Sequence, residues 1–226
     1  NETTLWRAQS LFTKEPITIS WIRSFDDNSV FFDIGANVGM YSVFCAAINK
    51  NKVYSFEPES SNFQVLMENI LLNNLNKHIS PFPIGISNET ELTSLYLSSY
   101  EKGGSHHMLK ESLDHNLEKK NSNFKQGIFS TTINDLIQKW NFPIPNYLKI
   151  DVDGIEYKII EESDIVLKDK NLKSILIEIN SNRKEDLDII KKLKNYNFIY
   201  DKSQVDLATR KSGNHKGYAE YLFHRK

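Results

Sequence analysis

The sequence predicts an α/β domain built on a mostly parallel β-sheet with helices on both faces. Three features carry this prediction. Short apolar strands alternate with segments of helical periodicity, a glycine-bearing turn follows the first strand, and the last two strands are separated only by turn-forming residues. The first two imply βαβ crossovers, and the third implies that the chain ends in an antiparallel pair.

The elements follow in order. Residues 3–25 read as helical and precede the domain, so residues 1–28 are expected to pack outside a core spanning 29–226. Val30-Phe31-Phe32-Asp33-Ile34 is a buried strand ended by Gly35, and residues 38–48 carry apolar side chains at helical spacing. Lys52-Val53-Tyr54-Ser55-Phe56 is the second strand. Ser60 or Ser61 is placed to cap a helix running to Leu72, with Phe63, Leu66, Met67 and Ile70 on one face. Residues 79–86 and 92–97 look extended. Further on, 131–140 reads as a helix, 147–151 as a strand and 155–162 as a helix. Residues 172–179 form a β-branched strand, 186–196 a helix, and 197–200 and 218–223 the closing strands. Residues 100–127 are polar, rich in Lys, Asn and His, and show little periodicity. A stretch this long is either a lid over a site or a disordered connection.

Composition narrows the classes. The 226 residues are 39% hydrophobic and 25% charged, with a net charge near −1, which excludes intrinsic disorder and offers no basic footprint for nucleic acid. Cys45, the single cysteine, lies in an apolar run and reads as a packed thiol. No run approaches the roughly 18 apolar residues of a membrane span, and no leader opens the chain. A soluble, cytoplasmic protein is expected, and the absence of an initial Met suggests a domain excised from a longer chain. The sequence carries no signal for oligomeric state.

The segment Asp33-Ile34-Gly35-Ala36-Asn37-Val38-Gly39 joins the first strand to the first helix. Gly35 permits a tight turn and Gly39 a close approach, while the N–H groups at the helix start favour an anionic group. The second strand ends Phe56-Glu57-Pro58, which sets a carboxylate beside the same crevice, suited to accept from both hydroxyls of an adenosine ribose. A dinucleotide enzyme would show Gly-x-Gly-x-x-Gly. Here the spacing is Gly-x-x-x-Gly, with Ala36 and Asn37 where pyrophosphate would sit and Asp33 suited to a cationic amino group. A ligand with an amino-acid end and a ribose end is S-adenosylmethionine.

The run from Val30 through Asp33, Gly35, Asn37 and Gly39 to Tyr41 and Ser42, then Phe56-Glu57-Pro58, then Leu148-Lys149-Ile150-Asp151-Val152-Asp153-Gly154-Ile155-Glu156, resembles the FkbM-type S-adenosylmethionine-dependent methyltransferases. Lys14-Glu15-Pro16 and Ile177-Glu178 add smaller matches. Ile133-Asn134 departs from the Leu-Asp common in that family. The resemblance implies the class I methyltransferase fold, a Rossmann-like three-layer sandwich with a seven-stranded sheet and an antiparallel terminal strand. It also implies O-methylation of sugar or polyketide hydroxyls. The cofactor-binding set expected is Asp33, Gly35, Asn37, Gly39, Tyr41, Ser42, Glu57 and Pro58.

An alcohol nucleophile must lose a proton, which calls for a base or a metal. Asp151 ends a central strand, where open α/β sheets place their chemistry, and is expected to act as general base or as a ligand of a divalent ion. Asp153 joins it as a catalytic candidate, with helix capping as the alternative. Glu156 reads equally as a cap or a loop brace. Asp151, Glu178 and Asn180 together offer hard oxygen donors suited to Mg²⁺, although Glu178 can equally be bonded internally. His106 and His107 lie in the long polar stretch, where a lid histidine is a further candidate base and a pair of solvated loop histidines is the alternative. Arg183 and Lys184 are placed either to meet an anionic acceptor or simply to face solvent.

The expected activity is methyl transfer from S-adenosylmethionine to a hydroxyl of a small molecule, sugar or lipid-linked glycan precursor, with no nucleic-acid partner. A nicotinamide-dependent oxidoreductase and a non-catalytic adenosyl-binding module are the alternatives.

Overall fold

The computed structural model describes residues 1–226 except 106, 113–118, 120, 121, 123 and 214. Two helices, α1 (Glu2–Ser10) and α2 (Pro16–Arg23), precede β1 (Val30–Ile34). Then come α3 (Met40–Asn49), β2 (Lys52–Phe56), α4 (Ser60–Leu72), β3 (Ile79–Phe82), β4 (Gly85–Ile86), β5 (Glu91–Leu97), β6 (Met108–Leu109) and β7 (Phe124–Thr131). The second half holds α5 (Ile133–Gln138), β8 (Tyr147–Ile150), α6 (Glu156–Glu161), α7 (Asp164–Lys168), β9 (Ser174–Asn180), α8 (Lys184–Asn195), β10 (Phe198–Tyr200), α9 (Lys202–Ala208) and β11 (Tyr218–Arg225).

Among the described residues, the main sheet has seven strands in the order β10-β11-β9-β8-β1-β2-β3. β11 runs antiparallel to both its neighbours, and the other pairings are parallel. The chain builds outward from β1 to β3 and then returns to place β8 on the other side of β1. The crevice beyond the carboxyl ends of β1 and β8 is therefore the topological switch point, where ligands of such sheets sit. Apolar residues alternate between the faces. Phe32, Ile34, Leu148, Ile150, Ile175 and Ile177 pack toward α5–α8, while Phe31, Val53, Tyr147 and Leu176 pack with Trp21, Ile22 and Phe44 from α2 and α3.

Four expectations change. Residues 100–127 are not a single loop, because β6 and the start of β7 fall within them. β7 pairs antiparallel with β5, and β4, β7, β5 and β6 form a small second sheet. The turn-rich stretch before the last strand contains α9, started by the Asp201 side chain accepting from the Ser203 N–H; only Val205 of this helix is buried, so no apolar period announces it. α4 is capped not by Ser60 or Ser61 but by Glu59, whose carboxylate accepts from the N–H groups of Ser61 and Asn62. Finally, Met67 is exposed rather than packed on the apolar face of α4.

Candidate functional site

The crevice is shaped first by backbone. Gly35 has φ +79°, and a Cβ built on it would lie 1.9 Å from the Asp151 carbonyl oxygen. β1 and β8 thus converge so closely at their ends that only glycine fits. Gly39, with φ +83°, begins α3, and a Cβ there would meet the Leu66 side chain at 2.3 Å.

Glu57 follows β2 and is buried. Its Oε2 accepts from the Asn37 N–H at 2.8 Å and its Oε1 from the Glu59 N–H at 2.9 Å. Burial pushes its carboxyl up to about 7, against the pull of those two backbone bonds. Each oxygen retains a lone-pair direction. Asn37, itself at φ +51°, donates from Nδ2 to the Gly104 carbonyl at 2.7 Å, and Asn62 donates to the same oxygen at 3.1 Å. The segment 103–105 is thereby laid across the crevice. Ile84, Ile86, Leu95 and Leu109 line the apolar side of the space, and Asp151, Asp153 and His107 its other walls. With that segment down, the space holds about 70 Å³, short of the ~300 Å³ at which ligand pockets begin. Admission of a nucleoside therefore requires 103–105 to rise.

α1 holds this segment from outside. Arg7 Nε donates to the Gly103 carbonyl at 2.7 Å, Asn1 Nδ2 to that of Lys102 at 3.0 Å, and the Thr3 hydroxyl to the Glu101 carboxylate.

Of the expected cofactor set, Gly35, Asn37, Glu57 and Pro58 line the crevice together. Asp33, Gly39, Tyr41 and Ser42 do not line it. Asp33 is only 1% exposed and accepts from the Ser42 hydroxyl at 2.6 Å, with Ser42 in turn 2.7 Å from the Ser55 hydroxyl. Tyr41 donates its hydroxyl to Glu15. These side chains form a second layer beneath the loop. His107 Nδ1 accepts from the Ser98 N–H at 3.2 Å, and His106 lies outside the described residues. Glu156 braces the turn after β8 by accepting from the N–H groups of Val152 and Gly154, and Arg183 donates to the Gly154 carbonyl at 2.8 Å.

The divalent-ion set requires a correction. Asp151 Oδ2 is 2.8 Å from Lys149 Nζ, Glu178 Oε1 is 2.9 Å from Arg210 Nη2, and Asn180 Oδ1 accepts from the Asn182 N–H at 3.0 Å. Each donor is committed to a different partner. Among the described residues no three His, Cys, Asp or Glu side chains converge as metal ligands. The donor set does not fit Mg²⁺.

What the sequence reading missed is a row of ionisable side chains along one face of the sheet. In register, Asp33 on β1 lies beside Lys149 on β8, and Glu178 on β9 lies opposite Glu220 on β11. Asp151 and Glu178 each follow by one residue the Ile150–Ile177 pair. Lys149 is 3% exposed. Burial opposes its charge, but Asp151, Asp33 and Glu15 overcome this and hold the ammonium protonated. In return Lys149, joined by Lys14 and Arg210, outweighs burial at Asp151 and brings that carboxyl down to about 2. Glu15 and Glu220 close the row, with Lys149, Asp151 and Glu178, around a small polar cavity next to the crevice. The available signal was the charge of Lys149 inside an otherwise apolar strand.

Among the described residues no helix is long and apolar enough to cross a membrane. The family model of the methyltransferase FkbM domain matches residues 33–200. The hexuronic acid methyltransferase AglP of Haloferax volcanii is 23% identical over 177 residues, covering 78% of this chain, and the match spans 66% of that relative's length. Among solved structures, a precorrin-6y C5,15-methyltransferase from Geobacter metallireducens superposes with a TM-score of 0.53 at 12% identity, covering 94% of this chain and 87% of its own. The TrmK protein of M. capricolum, solved with S-adenosyl-homocysteine, gives 0.50 at 10% identity, covering 92% and 67%. Those structures share the Rossmann-like methyltransferase sheet. With the switch-point crevice, the glycine at its neck and a family match across most of the length, the chain belongs to the FkbM methyltransferase family.

Proposed function

We propose that this chain is an S-adenosylmethionine-dependent O-methyltransferase whose acceptor is a hydroxyl of a sugar, with a hexuronic acid glycan as the class to test first. The observation that carries the reading is Glu57. It is a buried carboxylate braced by two backbone N–H groups, with lone pairs left for two ribose hydroxyls, beside a neck too narrow for any residue but Gly35. The acceptor class draws on the likeness to the hexuronic acid methyltransferase.

When bound, S-adenosylmethionine supplies an electrophilic methyl group on a sulfonium. Glu57 orients the ribose, and the apolar wall of Ile84, Ile86, Leu95 and Leu109 receives the adenine. Asp151, held ionised by Lys149, is a weak proton acceptor. Its fixed charge suits the donor's cationic centre. Asp153 and His107 border the same space and stand as further contacts for donor or acceptor. With donor and acceptor held side by side in the crevice, positioning supplies much of the rate.

The test is incubation with methyl-labelled S-adenosylmethionine and 4-nitrophenyl β-D-glucuronide. Label in the glycoside is the expected result. Tight donor binding with no labelled sugar from any glycoside would overturn the acceptor class. Failure to bind the donor would overturn the reading altogether.

A further inference from the structure

We propose that the Gly104 carbonyl is a built-in stand-in for the donor's ribose: it occupies the side-chain amides of Asn37 and Asn62 in the empty fold, and a ribose hydroxyl replaces it there when the donor enters. The inference rests on the methyltransferase reading above. It adds Asn62 as a donor-binding residue and makes segment 103–105 a competitor of the donor.

Hydrogen bonds place the stand-in beside Glu57. Asn37 gives its backbone N–H to Glu57 Oε2 at 2.8 Å and its Nδ2 to the Gly104 carbonyl at 2.7 Å, so that oxygen lies no more than one asparagine from the carboxylate. Asn62 Nδ2 donates to the same oxygen at 3.1 Å, and Asn62 Oδ1 accepts from the Gly103 N–H at 2.7 Å. Asn37, Glu57, Asn62 and Gly104 all line the one crevice. A ribose hydroxyl whose hydrogen goes to Glu57 still has lone pairs. The N–H groups of these two amides are the donors placed to meet them, once Gly104 has moved off. Asn62 Oδ1 is then left to the water that the raised segment admits.

The amides are fixed from behind, by bonds that do not involve the segment. Asn37 Oδ1 accepts from the Val38 N–H at 2.9 Å, and the Asn62 N–H donates to the Glu59 carboxylate at 2.7 Å. Asn69 Nδ2 ties α4 to the Val38 carbonyl at 2.8 Å. Both side chains therefore stay in place when 103–105 rises. Asn62 is only 1% exposed. A buried amide N–H without a partner is costly, so the departing carbonyl needs a replacement oxygen. Segment and ribose exclude one another, because the space with the segment down is about 70 Å³.

Competition gives a sign. The apparent Kd equals the intrinsic Kd divided by the open fraction, so a change that weakens only the closed segment tightens the donor. Gly103 is such a position. It has φ +83°, and a Cβ on it would lie 3.2 Å from Thr3 Cγ2 of α1. An alanine there strains the closed segment and leaves the crevice walls as they are.

Calorimetry on the full chain with S-adenosyl-homocysteine and its 2′-deoxy and 3′-deoxy analogues tests both halves. Gly103→Ala is expected to bind S-adenosyl-homocysteine at least ~threefold tighter than the native chain does. The native chain should prefer S-adenosyl-homocysteine over each deoxy analogue by ~tenfold. In Asn62→Leu and Asn62→Ala the preference over at least one analogue should shrink at least ~threefold. The ratio is the readout because all three ligands displace the segment at the same cost, so the loosened clasp cancels. A role for Asn62 confined to clasping the segment would leave both ratios at their native values. Gly103→Ala binding less than threefold tighter, or both ratios within threefold of native in a folded Asn62 variant, overturns this inference alone. Equal binding of all three ligands by the native chain overturns it together with the ribose role of Glu57. A native chain that binds none of them removes the donor reading, and the inference with it.

Discussion

Replacing Glu57 with alanine separates the donor-binding reading from a purely structural one. In the native crevice the carboxylate has one lone pair per oxygen free after its bonds to the Asn37 and Glu59 N–H groups. If both accept from a ribose, each charge-assisted bond contributes at least ~1.5 kcal/mol. The variant should then lose ~3 kcal/mol, about 150-fold in Kd. Protonation sharpens the test. Burial raises the Glu57 carboxyl from 4.5 to about 7, so the neutral acid is favoured in the empty fold. The sign follows. This group's contribution to stability is complete below pH 4.5 and is lost as pH rises through 7, by up to ~3 kcal/mol. Ribose hydroxyls donate better to the ionised form, so donor binding should release a proton near pH 6.5 and tighten as pH rises. Calorimetry with S-adenosyl-homocysteine in buffers of different ionisation enthalpy reads both effects. A Kd for Glu57→Ala within threefold of native, in a protein whose circular dichroism is unchanged, would refute the ribose assignment.

Other outcomes follow from the same geometry. Lys149→Met leaves Asp33 and Asp151 without their shared buried cation and should cost ~3–5 kcal/mol in urea unfolding; an unchanged midpoint would mean that the acids are relieved by other means. Gly35→Ala should cost at least ~1–2 kcal/mol for its positive φ alone. The overlap with the Asp151 carbonyl should also widen the neck and abolish donor binding, and retained affinity by calorimetry would contradict this. Arg7→Ala removes a bond that holds 103–105 down, so stopped-flow measurements should show S-adenosyl-homocysteine associating and dissociating faster than in the native chain. Unchanged rates would mean that α1 does not govern the segment.

The sequence revealed those parts of the fold whose determinants are local. β1, its glycine turn and β8 are apolar runs with a charged or glycine stop, and the structure has them where the residue pattern places them. The small roofing sheet was not legible. β7 opens with Phe124-Lys125-Gln126-Gly127, which has no clear alternation, and it is made a strand by β5, a partner distant in the chain. α9 escaped because it buries one residue. At the site, Glu57 was legible because a strand end fixes its position. Asp33 read as a crevice residue, yet the pleat turns it to the side where Lys149 and Ser42 wait, and only the cross-strand register reveals those neighbours. The same holds for Glu220, whose interest comes from standing opposite Glu178.

Titration of the native chain with S-adenosyl-homocysteine, followed by calorimetry, bears most directly on the claim that this crevice receives an adenosyl donor. One site per chain, weakened by Glu57→Ala and unaffected by adding chelator, is the predicted result. Absence of heat at any pH between 6 and 8, with a well-folded sample, would contradict it.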